Sequence, residues 1–232
     1  MTTRWRGIRV LAVTMLAGCI LPLDVEIDGH HHDADSVRGS GHVVSQVRAV
    51  SGYDAILASG VGRVVIRSTG RETLQITAED NIVPYLRTEV EGGTLVIGPR
   101  PGVSLEPRHE IVFEIGVVEL SRIEGSGAVS FEAELGRQPE MAVVLSGVCV
   151  IQATGSVDRL NVWLSGVTGF GGLHMQSRLA RVDVSGVSWA VVWATERLDA
   201  WASGVSSVRY TGSAAVYAHA SGSSWVGPYQ GG

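Results

Sequence analysis

Histidines and carboxylates cluster in one short segment near the beginning of the chain. His30, His31 and His32 are followed directly by Asp33, within a run that holds several other acidic residues. Imidazole and carboxylate groups are ligands that suit zinc, copper and nickel. However, no second ligand cluster lies at a fixed spacing, and a flexible segment does not preorganise a site. We therefore predict a solvated linker without a bound metal, and these four residues are the candidate ligands if one binds.

Aromatic and polar side chains recur at one place in a repeated segment of the second half of the chain. Trp163, Asp183, Trp201 and His219 each stand two residues before a Ser-Gly pair. On neighbouring strands, the two indoles would lie two strand spacings apart, about 9–10 Å. That spacing is close to the repeat of an extended disaccharide, whose rings could stack on the indoles while Asp183 accepts a hydroxyl hydrogen bond. The alternatives are a protein-contact surface and ordinary packing against cross-strand neighbours.

The composition and the absence of known motifs exclude several classes of chemistry. All 18 basic residues are arginine, which excludes a Schiff-base lysine and a phosphate-loop lysine. The formal net charge of −5 argues against a nucleic-acid partner. The sequence has no HExxH, GxSxG, CxxC or Walker motif. We expect no enzyme activity and no cofactor. The alternative is a polysaccharide-active β-helix enzyme, which would need clustered carboxylates.

The chain opens with a basic and then an apolar segment. Three arginines within residues 4–9 precede the apolar run of residues 10–16. The run is far shorter than the ~20 residues that cross a bilayer. This layout is typical of a secretory signal peptide, which we assign to residues 1–18.

Residues 16–19, Leu-Ala-Gly-Cys, resemble the lipobox of bacterial lipoproteins. The resemblance implies cleavage before Cys19, lipidation of that cysteine and stable anchoring by several acyl chains. Ile20 stands where an aspartate would favour retention at the inner membrane, so the outer membrane is the expected location. The alternatives are an ordinary signal peptide and a buried cysteine. Cys149 is the second cysteine of the chain, and we expect it to be a small buried residue rather than a nucleophile.

The second half of the chain is a repeat. Ser-Gly pairs follow alternating apolar segments at steps of 18–20 residues, and a degenerate copy is assigned to Glu124-Gly125, with a distant one at Ser59-Gly60. Residues one, three and five places before each serine are apolar, which is the two-residue period of a β-strand. A repeat this short fits one coil of a β-solenoid, with glycine at each tight turn and a serine hydroxyl ladder beside it. A β-sandwich is the competing architecture. The serines of the regular copies are Ser146, Ser165, Ser185, Ser203 and Ser221.

Three further segments lie in an order and spacing that carry a family resemblance: residues 48–64, residues 80–97 and residues 120–127. They resemble the putative auto-transporter adhesin head (GIN) domain family over residues 46–232. The resemblance implies a right-handed parallel β-helix-like solenoid, typically exported in bacteria, and it carries no catalytic or binding residues. The usual repeat of the family places an aspartate after Ser-Gly-Ser-Gly. Here that column is assigned to Arg63, Ala128, Val150, Gly169, Trp189, Ser207 and Trp225, so a cation-binding role is not expected.

These observations predict an all-β chain in three parts. A signal peptide (1–18) precedes a flexible acidic and histidine-rich tether (19–45) and a β-solenoid with coils of about 18–22 residues (46–232). We expect an exported, lipid-anchored, non-enzymatic adhesion or interaction module of the cell envelope, with a protein or a glycan as the surface partner. A purely structural envelope protein is a further alternative. The oligomeric state stays open.

Overall fold

Seventeen β-strands and one short 3₁₀ helix make up residues 35–230, the part of the chain that the computed structural model describes. No α-helix occurs in this part, and none of its helical segments is long and apolar enough to cross a membrane. The predicted signal peptide (1–18), Cys19 and the candidate metal ligands His30–Asp33 lie outside the described residues. The strands are β1 (Asp35–Arg38), β2 (Val43–Arg48), β3 (Ala55–Ala58), β4 (Val61–Ser68), β5 (Thr73–Glu79), β6 (Leu86–Glu91), β7 (Thr94–Pro99), β8 (Val103–Glu106), β9 (Val112–Val117), β10 (Arg122–Gly125), β11 (Ala128–Leu145), β12 (Val150–Leu164), β13 (Gly169–Val184), β14 (Trp189–Ala202), β15 (Ser207–Thr211), β16 (Ala215–Ala220) and β17 (Trp225–Pro228), and the 3₁₀ helix (Val83–Tyr85) follows β5.

The long strands β11 to β14 each run through most of one coil and pair in parallel with the next. Between β11 and β14 each pairing is interrupted by a register shift, where the strand passes from one side of the coil to the other. The C-terminal half of β14 pairs with β16, while its N-terminal half pairs with β15. The result is the predicted β-solenoid, with about five turns.

The register of the coils confirms the predicted apolar columns. Val143 lies opposite Val162, Val162 opposite Val182, and Val182 opposite Ala200. All four are at most 1% exposed, because alternate side chains of each strand point into one shared core. The column ends differently from what the repeat predicts, since Ala218 on β16 is exposed. No described coil lies beyond it.

Two assignments at the first coil are wrong by one or two residues. Gly125 pairs with Leu145, so Ser126, and not Glu124, is the counterpart of Ser146. Likewise, Ser130 pairs with both Val150 and Arg63, so Ser130 occupies the column that was assigned to Ala128. The apolar pattern alone missed this shift because the copy carries Glu-Gly-Ser-Gly, in which two glycines compete for the turn position.

The turn glycines confirm that only glycine fits where the coils meet. Gly166 has a φ of +85°, and a Cβ there would lie 2.6 Å from the carbonyl oxygen of Gly147 in the preceding coil. An L-residue disfavours that φ, and the contact distance leaves no room for a side chain. The same arrangement recurs at Gly127, Gly147, Gly186 and Gly204.

A hydroxyl column does line the turns, but its most buried members stand three residues after the predicted serines. The hydroxyl of Ser188 donates to the carbonyl oxygen of Ser185 at 2.7 Å, and Ser206 donates to Ser203 at 2.8 Å. Ser188 is 4% exposed and Ser206 5%. Three of the predicted serines bond more weakly to the preceding coil; for example, the Ser185 hydroxyl lies 3.2 Å from the carbonyl oxygen of Leu164. The column comprises Cys149, Thr168, Ser188, Ser206 and Ser224. Each of these residues directly precedes a residue that is paired with its counterpart in the neighbouring coil.

Residues 35–45, which the sequence assigned to the flexible tether, instead contain strand structure. β1 pairs in parallel with β8, and β2 pairs antiparallel with β5. The expected boundary at residue 46 is therefore corrected: β1 and the start of β2 are hydrogen-bonded to the folded part. Sequence reasoning missed this because the strand partners lie more than 25 residues away and share no repeat with it.

A buried carboxylate holds this first segment in place. Glu79 is fully buried, and its carboxylate accepts hydrogen bonds from the backbone N–H of Gly41 at 2.8 Å and of Arg108 at 2.9 Å. The His109 ring nitrogen Nδ1 lies 3.5 Å away. Burial raises the pKa of the Glu79 carboxyl, but the backbone N–H donors and His109 together hold it below its ordinary value. Gly39 leaves the space, since a Cβ there would lie 2.0 Å from the carboxylate oxygen.

Candidate functional site

The four residues predicted as ligand contacts lie side by side on the outside of the solenoid. Trp163 pairs with Asp183, Asp183 with Trp201, and Trp201 with His219. We call this set the aromatic column. Trp163 is 37% exposed, Asp183 and His219 are exposed, and Trp201 is partly buried. The structure therefore brings all four together, with Asp183 between the two indoles.

The ring of Trp201 is engaged by residues of both neighbouring coils. The guanidinium carbon of Arg181, on β13, lies 4.8 Å from the indole centroid, in the geometry of a cation–π contact. On β16, the His219 ring stacks with the indole at a centroid distance of 6.0 Å and an interplanar angle of 14°. A sugar ring that stacked flat on Trp201 would have to displace one of these groups. Trp163 is the more open of the two indoles.

A salt bridge and a cation–π contact lie on the outer surface next to the aromatic column. Arg197 donates from Nε and from Nη2 to the two carboxylate oxygens of Asp199, at 2.7 and 2.8 Å. The hydrogen bond from Arg197 holds the pKa of Asp199 below its ordinary value. The same guanidinium lies 4.5 Å from the ring centroid of Tyr217. The Asp199 carboxylate is therefore already paired with Arg197. Asp183 is the exposed carboxylate of the aromatic column.

A ridge of exposed valines runs along the turns, and sequence reasoning missed it. Val148, Val167, Val187 and Val205 each follow a turn glycine and are 53–60% exposed. Their backbone N–H groups donate to the glycine carbonyls of the preceding coil, as in Val167 to Gly147 at 2.8 Å. Successive coils place these side chains about 4.8 Å apart. The valine ridge is therefore a continuous apolar strip, the kind of exposed surface that marks an interaction site.

The sequence signal for the ridge is the residue that directly follows each Ser-Gly pair. Valine follows the pair in four successive copies, and again at Val61 in the distant copy. A tight turn exposed to water normally carries polar residues, so repeated valine at that place needs an explanation.

Two depressions border the valine ridge. One, of about 400 Å³, lies between the loop that carries His109 and Glu110 and the start of the ridge at Val148. The other, of about 160 Å³, is lined by Val167, Val187 and Trp189, with Thr168 and Cys149 among its other lining residues. The first depression is also lined by Arg108, His109 and Glu110, so the ridge is bordered by charged and polar as well as apolar side chains.

The described part of the chain contains neither a metal-ligand cluster nor an exposed thiol. Residues 35–230 contain no set of three or more histidine, cysteine or acidic side chains that could hold a metal ion. Cys149 is 3% exposed, and burial raises the pKa of its thiol, which opposes formation of a thiolate.

Comparison with known proteins places these features in context. The family model described as putative auto-transporter adhesin, head GIN domain, matches residues 52–214. A putative adhesin from Bacteroides fragilis is similar in structure, with a TM-score of 0.68 and 22% identity over 83% of this chain and 100% of that one. A putative lipid binding protein from Parabacteroides distasonis gives a TM-score of 0.52 and 22% identity, over 84% of this chain and 100% of that one. A putative adhesin from Parabacteroides merdae gives 0.52 and 17%, with the same coverage. At these identities the similarity establishes the fold. Among curated proteins, none matches the chain.

Proposed function

Since this chain belongs to the putative auto-transporter adhesin head GIN domain family, we propose that it is an exported, lipid-anchored, non-enzymatic adhesion or interaction module of the cell envelope. The observation that carries the proposal is the valine ridge, whose four side chains stay more than half exposed in register on a regular scaffold. An apolar strip of this kind is costly to leave in water and suits contact with another protein. The rings of the aromatic column, by contrast, partly engage one another.

Export and anchoring rest on the first residues of the chain. The basic and apolar segment and the lipobox-like residues 16–19 support cleavage before Cys19, and Ile20 supports the outer membrane. Replacing Cys19 with alanine should release the protein from the membrane fraction or block its maturation. Cys149→Ser is the matched control, because it changes the other cysteine of the chain, and it should fractionate as the wild type does. Unchanged membrane association of the Cys19→Ala protein would contradict lipid anchoring.

The contact surface is tested by making the valine ridge polar without changing its shape. Val148, Val167, Val187 and Val205 are replaced together by threonine, and adherence of cells that display the protein is compared with the wild type. We expect adherence to fall to that of cells without the protein. Val47→Thr is the control, since Val47 is 75% exposed on β2 and lies outside the ridge. Equal loss in the control, or full adherence of the ridge variant, would argue against this surface.

A carbohydrate platform is the second candidate, favoured by the exposure of Trp163 directly beside Asp183. A glycan array with wild type, Trp163→Ala and Trp201→Ala proteins tests it. Because Arg181 and His219 engage Trp201, binding should depend more on Trp163 than on Trp201. A wild-type protein that binds no glycan would remove this candidate and leave the valine ridge.

A further inference from the structure

The C-terminal end of the solenoid presents an open sheet edge. β16 pairs with β14 and β17 pairs with β15, and no other described strand pairs with either of them. The inward column is uncovered at this end: Ala218 and Ala220 are exposed, whereas Ala200 and Ala202 in the preceding coil are at most 3% exposed. Backbone groups and core side chains are therefore both ready to receive another strand.

This edge has none of the charges that usually protect an exposed strand. Residues 210–232 contain no aspartate, glutamate, lysine or arginine, although 18% of the whole chain is charged. Natural proteins guard open edges with charged side chains, bulges or proline. Here one proline, Pro228, stands at the last position of β17. Two identical neutral edges do not repel each other electrostatically, and a charged partner would meet no opposite charge on this edge.

The opposite end of the solenoid is built differently. Its outermost strand β6 forms an antiparallel hairpin with β7 and carries Arg87, which is ion-paired with Glu89 and Glu91. A head-to-tail arrangement would place this charged strand against the neutral C-terminal edge. Contact between two C-terminal ends instead brings neutral surfaces together and closes after two copies.

We propose that two copies of this chain associate through their C-terminal ends, with the free edge of β16 pairing antiparallel to β16 of the second copy. In an antiparallel pair, residues directly opposite one another share a face of the sheet. Pairing Ala218 with itself across the two-fold axis keeps the inward alanines on the core side. On the outside, it places Tyr217 opposite His219 of the second copy. Each copy then covers the exposed inward alanines of the other.

Sedimentation velocity of the full chain in a non-ionic detergent tests the proposal. We expect the wild type to sediment with twice the monomer mass at about 100 µM and to dissociate on dilution. Ala218→Lys puts a charge on the inward side of the edge, so we expect it to raise the dissociation constant at least about tenfold. The matched control is Ala128→Lys, the same change at an exposed alanine at the start of β11, and it should remain a dimer.

Hydrogen exchange provides a second measurement that needs no variant. The free-edge amides of β16 should be protected in the wild type, and the protection should fall on dilution. Ala220→Lys serves in place of Ala218→Lys if the latter does not fold. A wild-type monomer at the highest concentration, an open-ended polymer, or equal dissociation of the Ala128→Lys control would each overturn the proposal.

Discussion

The hydroxyl of Thr168 lies 3.0 Å from the hydroxyl of Ser188, one coil further along the solenoid. Both residues are almost fully buried at the turn, and Ser188 also lies within 2.7 Å of the carbonyl oxygen of Ser185. The pair joins two coils through side chains at the place where the backbone leaves the sheet. The buried hydroxyl column, rather than the Ser-Gly serines, therefore satisfies much of the polar surface of the turns.

Removing the Ser188 hydroxyl should weaken the solenoid. Ser188→Ala leaves the Ser185 carbonyl and the Thr168 hydroxyl without this partner, and a buried polar group that loses its partner costs about 1–3 kcal/mol. Chemical denaturation of wild-type and variant proteins measures the loss. Ser203→Ala is the control, because the Ser203 hydroxyl is partly exposed and donates no hydrogen bond within residues 35–230. Equal effects of the two changes would contradict a special role for the buried column.

Gly166→Ala separates steric contact between coils from backbone strain. Gly52 has a positive φ of +79° with nothing within 4 Å of a Cβ, so Gly52→Ala measures the strain of the left-handed backbone, about 1–2 kcal/mol. Gly166→Ala adds a contact of 2.6 Å with the Gly147 carbonyl oxygen. We expect a clearly larger fall in the free energy of unfolding for Gly166→Ala, measured by denaturation. Equal falls would show that the coils can move apart to admit a methyl group.

Glu79 should make stability depend on acid. The native state holds its pKa below the ordinary value of 4.5, so the unfolded chain binds this proton first as the pH falls. The stabilisation is fully present above pH 4.5 and is lost as the pH falls through the lowered native pKa. Glu79→Gln should destabilise the protein at neutral pH and remove this part of its pH dependence. Thermal unfolding from pH 7 to pH 3 checks both, and a parallel decline of wild type and variant would contradict the assignment.

Serine should replace Cys149 with little effect. Cys149 occupies the hydroxyl column, and its Sγ lies 3.8 Å from the carbonyl oxygen of Gly127. A serine hydroxyl can reach the same oxygen, since the Ser188 hydroxyl lies 3.3 Å from the equivalent carbonyl oxygen of Gly166. We expect a change of less than about 1 kcal/mol in the free energy of unfolding. Cys149→Val, which cannot donate, should be more destabilising than Cys149→Ser; the reverse order would place this residue outside the hydrogen-bonded column.

The Cys149 thiol should resist alkylation in the native protein. Burial raises its pKa and excludes reagent, and the thiolate is the reactive form. Iodoacetamide at pH 8 should label Cys149 far more slowly in the folded chain than in denaturant, as measured by mass spectrometry in a Cys19→Ala background. Rapid native labelling would mean that the adjoining depression opens to the thiol.

The repeat made half of the fold predictable. Val143, Val162 and Val182 occupy equivalent places in successive coils, so the Ser-Gly alignment predicts the pairing of the strand segments that precede each Ser-Gly pair. The same alignment predicts Trp163 beside Asp183, and the two residues are paired in the structure. Stacked coils reuse a single contact pattern, and sequence periodicity records that pattern directly.

The rest of the fold depends on long-range contacts that do not follow the sequence repeat. β2 pairs antiparallel with β5, and Glu79 meets N–H donors from Gly41 and Arg108, which are far apart in the sequence. A glutamate after an alternating strand normally indicates an exposed end, since charged residues are seldom buried unless paired. The exposure of Val187 was not predicted because valine in an apolar repeat is most often assigned to the core.

The turns of the repeated coils share one direction of hydrogen bonding along the solenoid. At Ser146, Val167 and Ser185, the backbone N–H of the later coil donates to a carbonyl of the coil before it. From β11 onward, each coil pairs with the coil that precedes it in the chain. A chain that emerges with its N-terminus first therefore has the preceding coil available when the next one forms, and we expect this part of the solenoid to assemble toward its C-terminal edge.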